Sequence, residues 1–170
     1  MKIVVLNGSP RPKGNTAALI AAFREGAESK GHQVTVLPVG TMKIGGCRGC
    51  EYCHTKGGGT CVQKDDMEQV YPALAEAELL VLASPVYYFG LTGQLESAVS
   101  RFYAVMAPAA KKWALLLTSG SPNVYGAIEA QYKGILNFIQ AQDLGIFEYD
   151  GKQVGTEAAL DEVKAFGASL

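Results

Sequence analysis

The sequence predicts a three-layer α/β sandwich: a five-stranded parallel sheet in the order 2-1-3-4-5 with helices on both faces. Three observations lead there. Ile3-Val4-Val5-Leu6 and Leu79-Leu80-Val81-Leu82-Ala83 are short apolar runs without polar alternation, the pattern of strands covered on both faces. Segments of helical periodicity separate such runs, as parallel neighbours require. The turns after the runs are rich in Gly, Ser, Pro and Asn, and in open α/β sheets the carboxyl ends of the strands form the ligand crevice.

The composition suits one domain spanning 1–170. A chain of 170 residues and 18.0 kDa can bury a real core, and 48% hydrophobic with 18% charged residues is ordinary for a globular protein. A formal net charge of −1 gives no electrostatic reason to expect nucleic acid or an anionic membrane as partner. No signal peptide is expected, because the first apolar run is too short, and no stretch approaches the roughly 20 apolar residues of a membrane span. A cytoplasmic location is the expectation. All four cysteines fall between Cys47 and Cys61, which in that compartment favours metal or redox chemistry over structural disulfides.

The elements follow in order. Ala18, Leu19, Ala22 and Phe23 share a helical face, predicting a first helix over Thr16–Lys30 with Gly31 as its stop. Gln33–Val39 reads as strand two, near an edge because it alternates and contains Pro38. The pattern then fails from Gly40 to Lys64, and a loop that long is usually functional or a sign of an unrecognised element. Asp65 as N-cap with Glu68 three residues on predicts a capping box, opening a helix to about Glu78. After the central strand at 79–83, apolar residues from Leu91 to Met106 predict a third helix. Lys112–Thr118 is strand four, a helix covers Ala127–Gln140, Gly145–Tyr149 is the last strand, and a tail helix covers Thr156–Phe166.

The candidate site begins at Gly8-Ser9-Pro10-Arg11-Pro12-Lys13-Gly14-Asn15-Thr16, between the first strand and first helix. Free amides and the helix dipole converge at such a junction. Ser9, Asn15 and Thr16 add polar donors, and Arg11 adds a charge for a phosphate. The Gly8–Gly14 spacing, followed by Asn-Thr, is not a Walker loop, and no G-x-G-x-x-G is present. Capping by Asn15 or Thr16 explains one donor but not their concentration. The second loop, Ser84-Pro85-Val86-Tyr87-Tyr88-Phe89-Gly90, offers backbone amides and flat rings at the same sheet edge. Those rings suit a planar ligand, although packing beneath the loop would also use them. Ser119 and Gly120 open a third loop after strand four, where a plain turn explains them nearly as well.

Gly-Ser-Pro-Arg-x-x-Gly-Asn-Thr, together with Ser-Pro-Val-Tyr, resembles the flavodoxin-like NAD(P)H-dependent FMN reductases. The resemblance implies an FMN phosphate in the first loop, the isoalloxazine ring along Pro85, Val86, Tyr87, Tyr88, Phe89 and Gly90, and Ser119-Gly120 bordering its far side. It also implies a homodimer or homotetramer. Relatives often carry a lysine and an Asp-Arg pair in the third helix, where this chain has Ser97 and Ser100-Arg101, so only Arg101 is kept.

The long loop holds Cys47-x2-Cys50-x2-Cys53-x7-Cys61. Four thiolates are what a [4Fe–4S] cluster requires, and an all-cysteine zinc site uses the same number. Three closely spaced cysteines fit iron better than the two separated pairs of a zinc ribbon. The motif resembles that of the iron–sulfur flavoproteins, a branch of the same family, while relatives without a cluster have a similar loop leading into Asp65-Asp66-Met67. Cluster, zinc and free thiols stay open. His54 beside Cys53 is expected to be solvated.

Three functions follow. The first is an FMN-dependent oxidoreductase taking hydride from NAD(P)H and reducing a quinone, flavin or similar acceptor. The second is an electron carrier pairing FMN with a cluster and a ferredoxin-like donor, and the third a flavin-binding regulator. No Ser-His-Asp set or paired carboxylates are apparent, so no side-chain catalyst is named; the cofactor would carry the chemistry.

Overall fold

A computed structural model of the chain describes residues 1–106 and 108–170. Five parallel strands lie in the order β2-β1-β3-β4-β5: β1 (Lys2–Asn7), β2 (Gln33–Leu37), β3 (Leu79–Pro85), β4 (Lys112–Thr118) and β5 (Gln142–Tyr149). Six helices accompany them: α1 (Asn15–Glu28), α2 (Tyr52–Thr55), α3 (Met67–Glu76), α4 (Gly93–Ser100), α5 (Gly126–Ile139) and α6 (Glu157–Ala168). The sandwich and strand order match the expectation from sequence. Successive side chains of a strand face opposite layers, so Val4 and Leu6 join one core and Ile3 and Val5 the other. The first core packs α3, α4 and α5 against the sheet around Trp113, and the second packs α1 and α6 around Phe23 and Val163. β3 and β4 are buried along almost their whole length, as their unbroken apolar runs require.

Several boundaries differ from the sequence expectation for physical reasons. α1 is capped by Gly14 rather than by Asn15 or Thr16; it has no side-chain cap, and Thr16 turns inward instead. The capping box at 65–68 is not formed as expected. Asp66 is the N-cap, Asp65 accepts from the Met67 amide at 3.1 Å, and Glu68 pairs with Lys64 at 3.0 Å rather than reaching back. The third helix divides: Thr92 caps α4 through its side chain, and Arg101–Val105 tightens into a 3₁₀ turn. β5 begins three residues earlier than expected, because a bulge between Trp113 and Leu115 absorbs Gly145. The 40–64 loop contains one short helix, α2. Strand two stops at Leu37, at the sheet edge, before Pro38 would have to donate.

β1 leads outward to β2 on one side, while β3 pairs on its other side. That reversal places a crevice at the carboxyl ends of β1 and β3.

Candidate functional site

The loop after β1 is held from several directions. The Gly8 amide donates to the Ala83 carbonyl at 2.8 Å, and the Ser9 amide donates to Asn7 Oδ1 at 2.9 Å. Thr92 Oγ1 donates to the Gly8 carbonyl at 2.8 Å while accepting from the Leu95 amide, so the cap of α4 also clamps this loop. Backbones approach so closely here that a Cβ would be intolerable. At Gly8 it would lie 2.8 Å from Leu95 Cβ, and at Gly40 it would lie 2.4 Å from the Ser9 carbonyl. Glycine at these positions is therefore a packing requirement.

The Ser9 hydroxyl accepts from the Arg11 amide at 3.2 Å, drawing the loop into a tight turn. The Arg11 side chain is exposed and makes no salt bridge among the described residues. α1 has no acidic residue in its first turn and no side-chain cap, so the amides at its start remain available to an anion. Thr16 is buried, and its hydroxyl lies 2.9 Å from that of Thr118, joining the start of α1 to the end of β4.

A cavity of about 260 Å³ opens above these groups. Ser9, Arg11, Gly14, Asn15 and Thr16 form one wall, and Pro85, Val86 and Tyr87 form another. Thr118, Ser119 and Gly120 close the far side together with Gly151. The Val86 amide donates to the Thr118 carbonyl at 2.7 Å, which fixes the second wall to the third. The Ser119 hydroxyl lies 2.7 Å from the Tyr125 hydroxyl, and burial pushes that phenol up from its ordinary value.

The lining ends at Tyr87. Tyr88, Phe89 and Gly90 stand outside it, and none of the rings of Tyr87, Tyr88 and Phe89 packs beneath the loop; Tyr88 is 98% exposed. Tyr87 and Gly90 exchange two backbone hydrogen bonds around a two-residue turn, with Tyr88 at φ 50° and Phe89 at φ 65°. Both residues are left-handed, the geometry that hairpin turns normally give to Asn-Gly. Strained backbone positions of this kind cluster at functional sites. Thr118 and Gly151 were not legible as site residues. A polar residue ending an apolar strand was the only hint for Thr118, and no local signal marks Gly151.

The four cysteines are free thiols that line one narrow cleft with Glu51, Arg101 and Tyr103. Cys47 and Cys50 are exposed, Cys61 is half-buried, and Cys53 is buried, which pushes its thiol up. Among the described residues no three His, Cys, Asp or Glu side chains are grouped to hold a single metal ion. His54 is occupied elsewhere, its ring 2.8 Å from the Tyr103 carbonyl and edge-on to the Tyr103 ring.

Beneath the cleft lies a residue whose role the sequence did not reveal. Arg101 is 1% exposed and donates from Nη1 to Asp65 at 2.7 Å and to the Gly45 carbonyl at 2.8 Å. Burial alone would push the Asp65 carboxyl up; the Arg101 guanidinium and the Gly45 and Met67 amides outweigh it and hold the carboxyl below its ordinary value. α4 thus links the two regions, with Thr92 on the anion loop and Ser100, whose hydroxyl accepts from the Cys47 amide, at the cysteine loop. Its eight residues span roughly 12 Å.

A doubly wound sheet with an anion cradle at its switch point defines a flavodoxin-like protein. The chain belongs to the NADPH-dependent FMN reductase family, whose sequence model matches residues 1–152. It is 38% identical over 101 residues to an iron-sulfur flavoprotein of Archaeoglobus fulgidus, covering 59% of this chain and 45% of that protein. Against an iron-sulfur flavoprotein of Methanocaldococcus jannaschii it is 39% identical over 107 residues, 63% and 53% of the two chains. The chain thus spans about half the length of the curated relatives it matches. Among solved structures, the apo form of an NADH:FMN oxidoreductase superposes with a TM-score of 0.70 at 20% identity, over 99% of this chain and 89% of that one, which shows the fold. No helix among the described residues is long and apolar enough to cross a membrane.

Proposed function

We propose that the chain is the FMN-binding part of an oxidoreductase that takes hydride from NADH or NADPH and passes reducing equivalents to a quinone, a free flavin or a similar acceptor. The observation that carries the reading is the cradle at the start of α1: uncapped helix amides, the Ser9 hydroxyl and an unpaired Arg11 facing one cavity. That donor set fits a phosphate dianion, and the adjoining wall of Pro85, Val86 and Tyr87 offers an apolar and aromatic surface to a planar ring. FMN, when bound, supplies the hydride and electron chemistry.

The chain's own residues then have assigned tasks. The Asn15 and Thr16 amides, Ser9 and Arg11 hold the phosphate. Pro85, Val86 and Tyr87 orient the ring along β3, with Tyr88, Phe89 and Gly90 at the rim. Ser119, Gly120 and Gly151 limit water on the opposite side. Among the described residues no carboxylate lines the cavity, so the anionic ligand meets no fixed negative charge there.

The test is an anaerobic mixing experiment with FMN-loaded protein. NADH or NADPH alone should bleach the flavin absorbance, and riboflavin, which lacks the phosphate, should bind far more weakly than FMN. Failure of both nicotinamides overturns the reductase reading, and equal affinity for riboflavin overturns the phosphate cradle.

The cysteine cleft supports a second reading, an electron carrier in which Cys47, Cys50, Cys53 and Cys61 ligate one [4Fe–4S] cluster beside FMN, fed by a ferredoxin-like donor. The four free thiols on one cleft supply the donor set. The cleft now has room for about 10 Å³, so ligation requires the exposed Cys47–Cys50 arm to move outward. Iron and acid-labile sulfide in anaerobically prepared protein test this; background iron overturns it.

A further inference from the structure

We propose that Arg101 is a positioning residue of the cysteine cleft, donating from Nε and Nη2 to the sulfur atoms of a cluster held by Cys47, Cys50, Cys53 and Cys61. The inference rests on the cluster reading of that loop and adds to it a residue 40 positions beyond the last cysteine.

The guanidinium is among the most deeply buried polar groups of the described chain, at 1% exposed. Its Nη1 is spent on Asp65 and the Gly45 carbonyl, yet Nε and Nη2 are buried without any partner. Burying an unpaired donor costs roughly 1–3 kcal/mol, and more for a charged group. The nearest polar neighbours relieve it only in part. The Tyr71 hydroxyl donates to the Arg101 carbonyl at 3.2 Å and lies close enough to the guanidinium to favour its charged form, yet it makes no well-formed hydrogen bond to Nε or Nη2, and Glu51 in the same cleft is engaged by the Tyr103 hydroxyl at 2.9 Å. Arg101 lines the cleft together with the four thiols.

The arrangement makes sense once the cleft holds a polyanion. Four thiolates on a cluster leave a net negative charge that grows on reduction, and hydrogen bonds to the sulfurs are one means by which a protein raises the reduction potential. Asp65 and Gly45 fix the guanidinium by one edge and leave the other edge for the sulfur. Gly45 also lies two residues before Cys47, so the same contact anchors the entry to the loop.

A purely structural role for the Asp65–Arg101 pair predicts that lysine would substitute, since it keeps the charge; a donor role predicts that it would not. The experiment uses the full chain prepared anaerobically with iron and sulfide, as wild type, R101K, and the double variant R101M/D65L. The double variant removes both charges together, so that no carboxylate is left buried alone. Iron and sulfide content, electron paramagnetic resonance and a redox titration are read on each, with thermal melting as the fold control. In R101K the cluster should form, but its midpoint potential should move to a more negative value, and removal of iron by a chelator should be roughly 10-fold faster. The double variant should show the same shift. A wild-type cluster whose potential, spectrum and chelator resistance are unchanged in both variants overturns the proposal alone. Wild-type protein without iron and sulfide overturns the cluster reading and the proposal with it.

Discussion

Replacing Tyr88-Phe89 by Asn-Gly should stabilise the protein and weaken its hold on a flavin. Both residues are left-handed, at φ 50° and 65°, in a turn closed by the two Tyr87–Gly90 backbone hydrogen bonds. A side chain in that region costs roughly 1–2 kcal/mol per residue, and Asn-Gly is the pair such turns prefer. The rings return little of that cost to the folded state. Tyr88 is 98% and Phe89 56% exposed, and their one mutual contact is edge-to-face at 6.0 Å, worth about 0.5 kcal/mol at such exposure. The net expectation is a gain of roughly 1–3 kcal/mol, or about 3–9 °C in melting temperature for a chain of this length. The same substitution removes both aromatic faces at the rim of the cavity. FMN should then bind about 3–10-fold more weakly, as expected for the loss of one stacking contact. Thermal denaturation without ligand reads the first effect, and a fluorescence titration with FMN reads the second. An unchanged or lower melting temperature would refute the strain assigned to this turn. A higher melting temperature with unaltered FMN affinity would separate the strain from ligand binding.

The remaining predictions concern single side chains. Arg11→Ala should weaken FMN binding by roughly 1–3 kcal/mol with little effect on riboflavin, measured by parallel titrations. Thr118→Val leaves the buried Thr16 hydroxyl without its 2.9 Å partner and should cost about 1–3 kcal/mol in a denaturant melt; an unchanged midpoint would count against the pairing. Cys50→Ser should lower iron content while leaving FMN occupancy intact, because the two loops are built on different residues; loss of both together would contradict that separation. Burial, reinforced by Glu129, raises the Glu148 carboxyl above its ordinary 4.5, against a smaller opposing effect of Lys133, and one of its oxygens is buried without a partner. The folded state therefore holds the proton more tightly than the unfolded one. This contribution is present below the unfolded value and is lost as pH rises through the folded value. Glu148→Gln should raise the melting temperature at pH 7 relative to wild type but not at low pH, so a gain of equal size at both would count against the shift.

The amino-acid sequence by itself determined the layers, the strand order and the location of the cradle. A strand covered on both faces must be apolar throughout, so Leu79–Ala83 and Lys112–Thr118 announce themselves locally, and the loops at their ends follow. Ser9, Arg11, Gly14, Asn15 and Thr16 were legible because an anion site at a strand-to-helix junction is built from consecutive residues. Only the tertiary structure decided what each polar side chain was for. Thr16 resembled a cap but bonds Thr118, 102 residues away, and Asp65 resembled a capping box but holds Arg101, 36 residues away. Nor did composition show that Tyr88 and Phe89 occupy the strained turn rather than the core. A cap, a buried ion pair and an exposed ring use the same residue types. They differ in which distant group arrives to satisfy them, and folding brings those groups together across separations that no local pattern encodes.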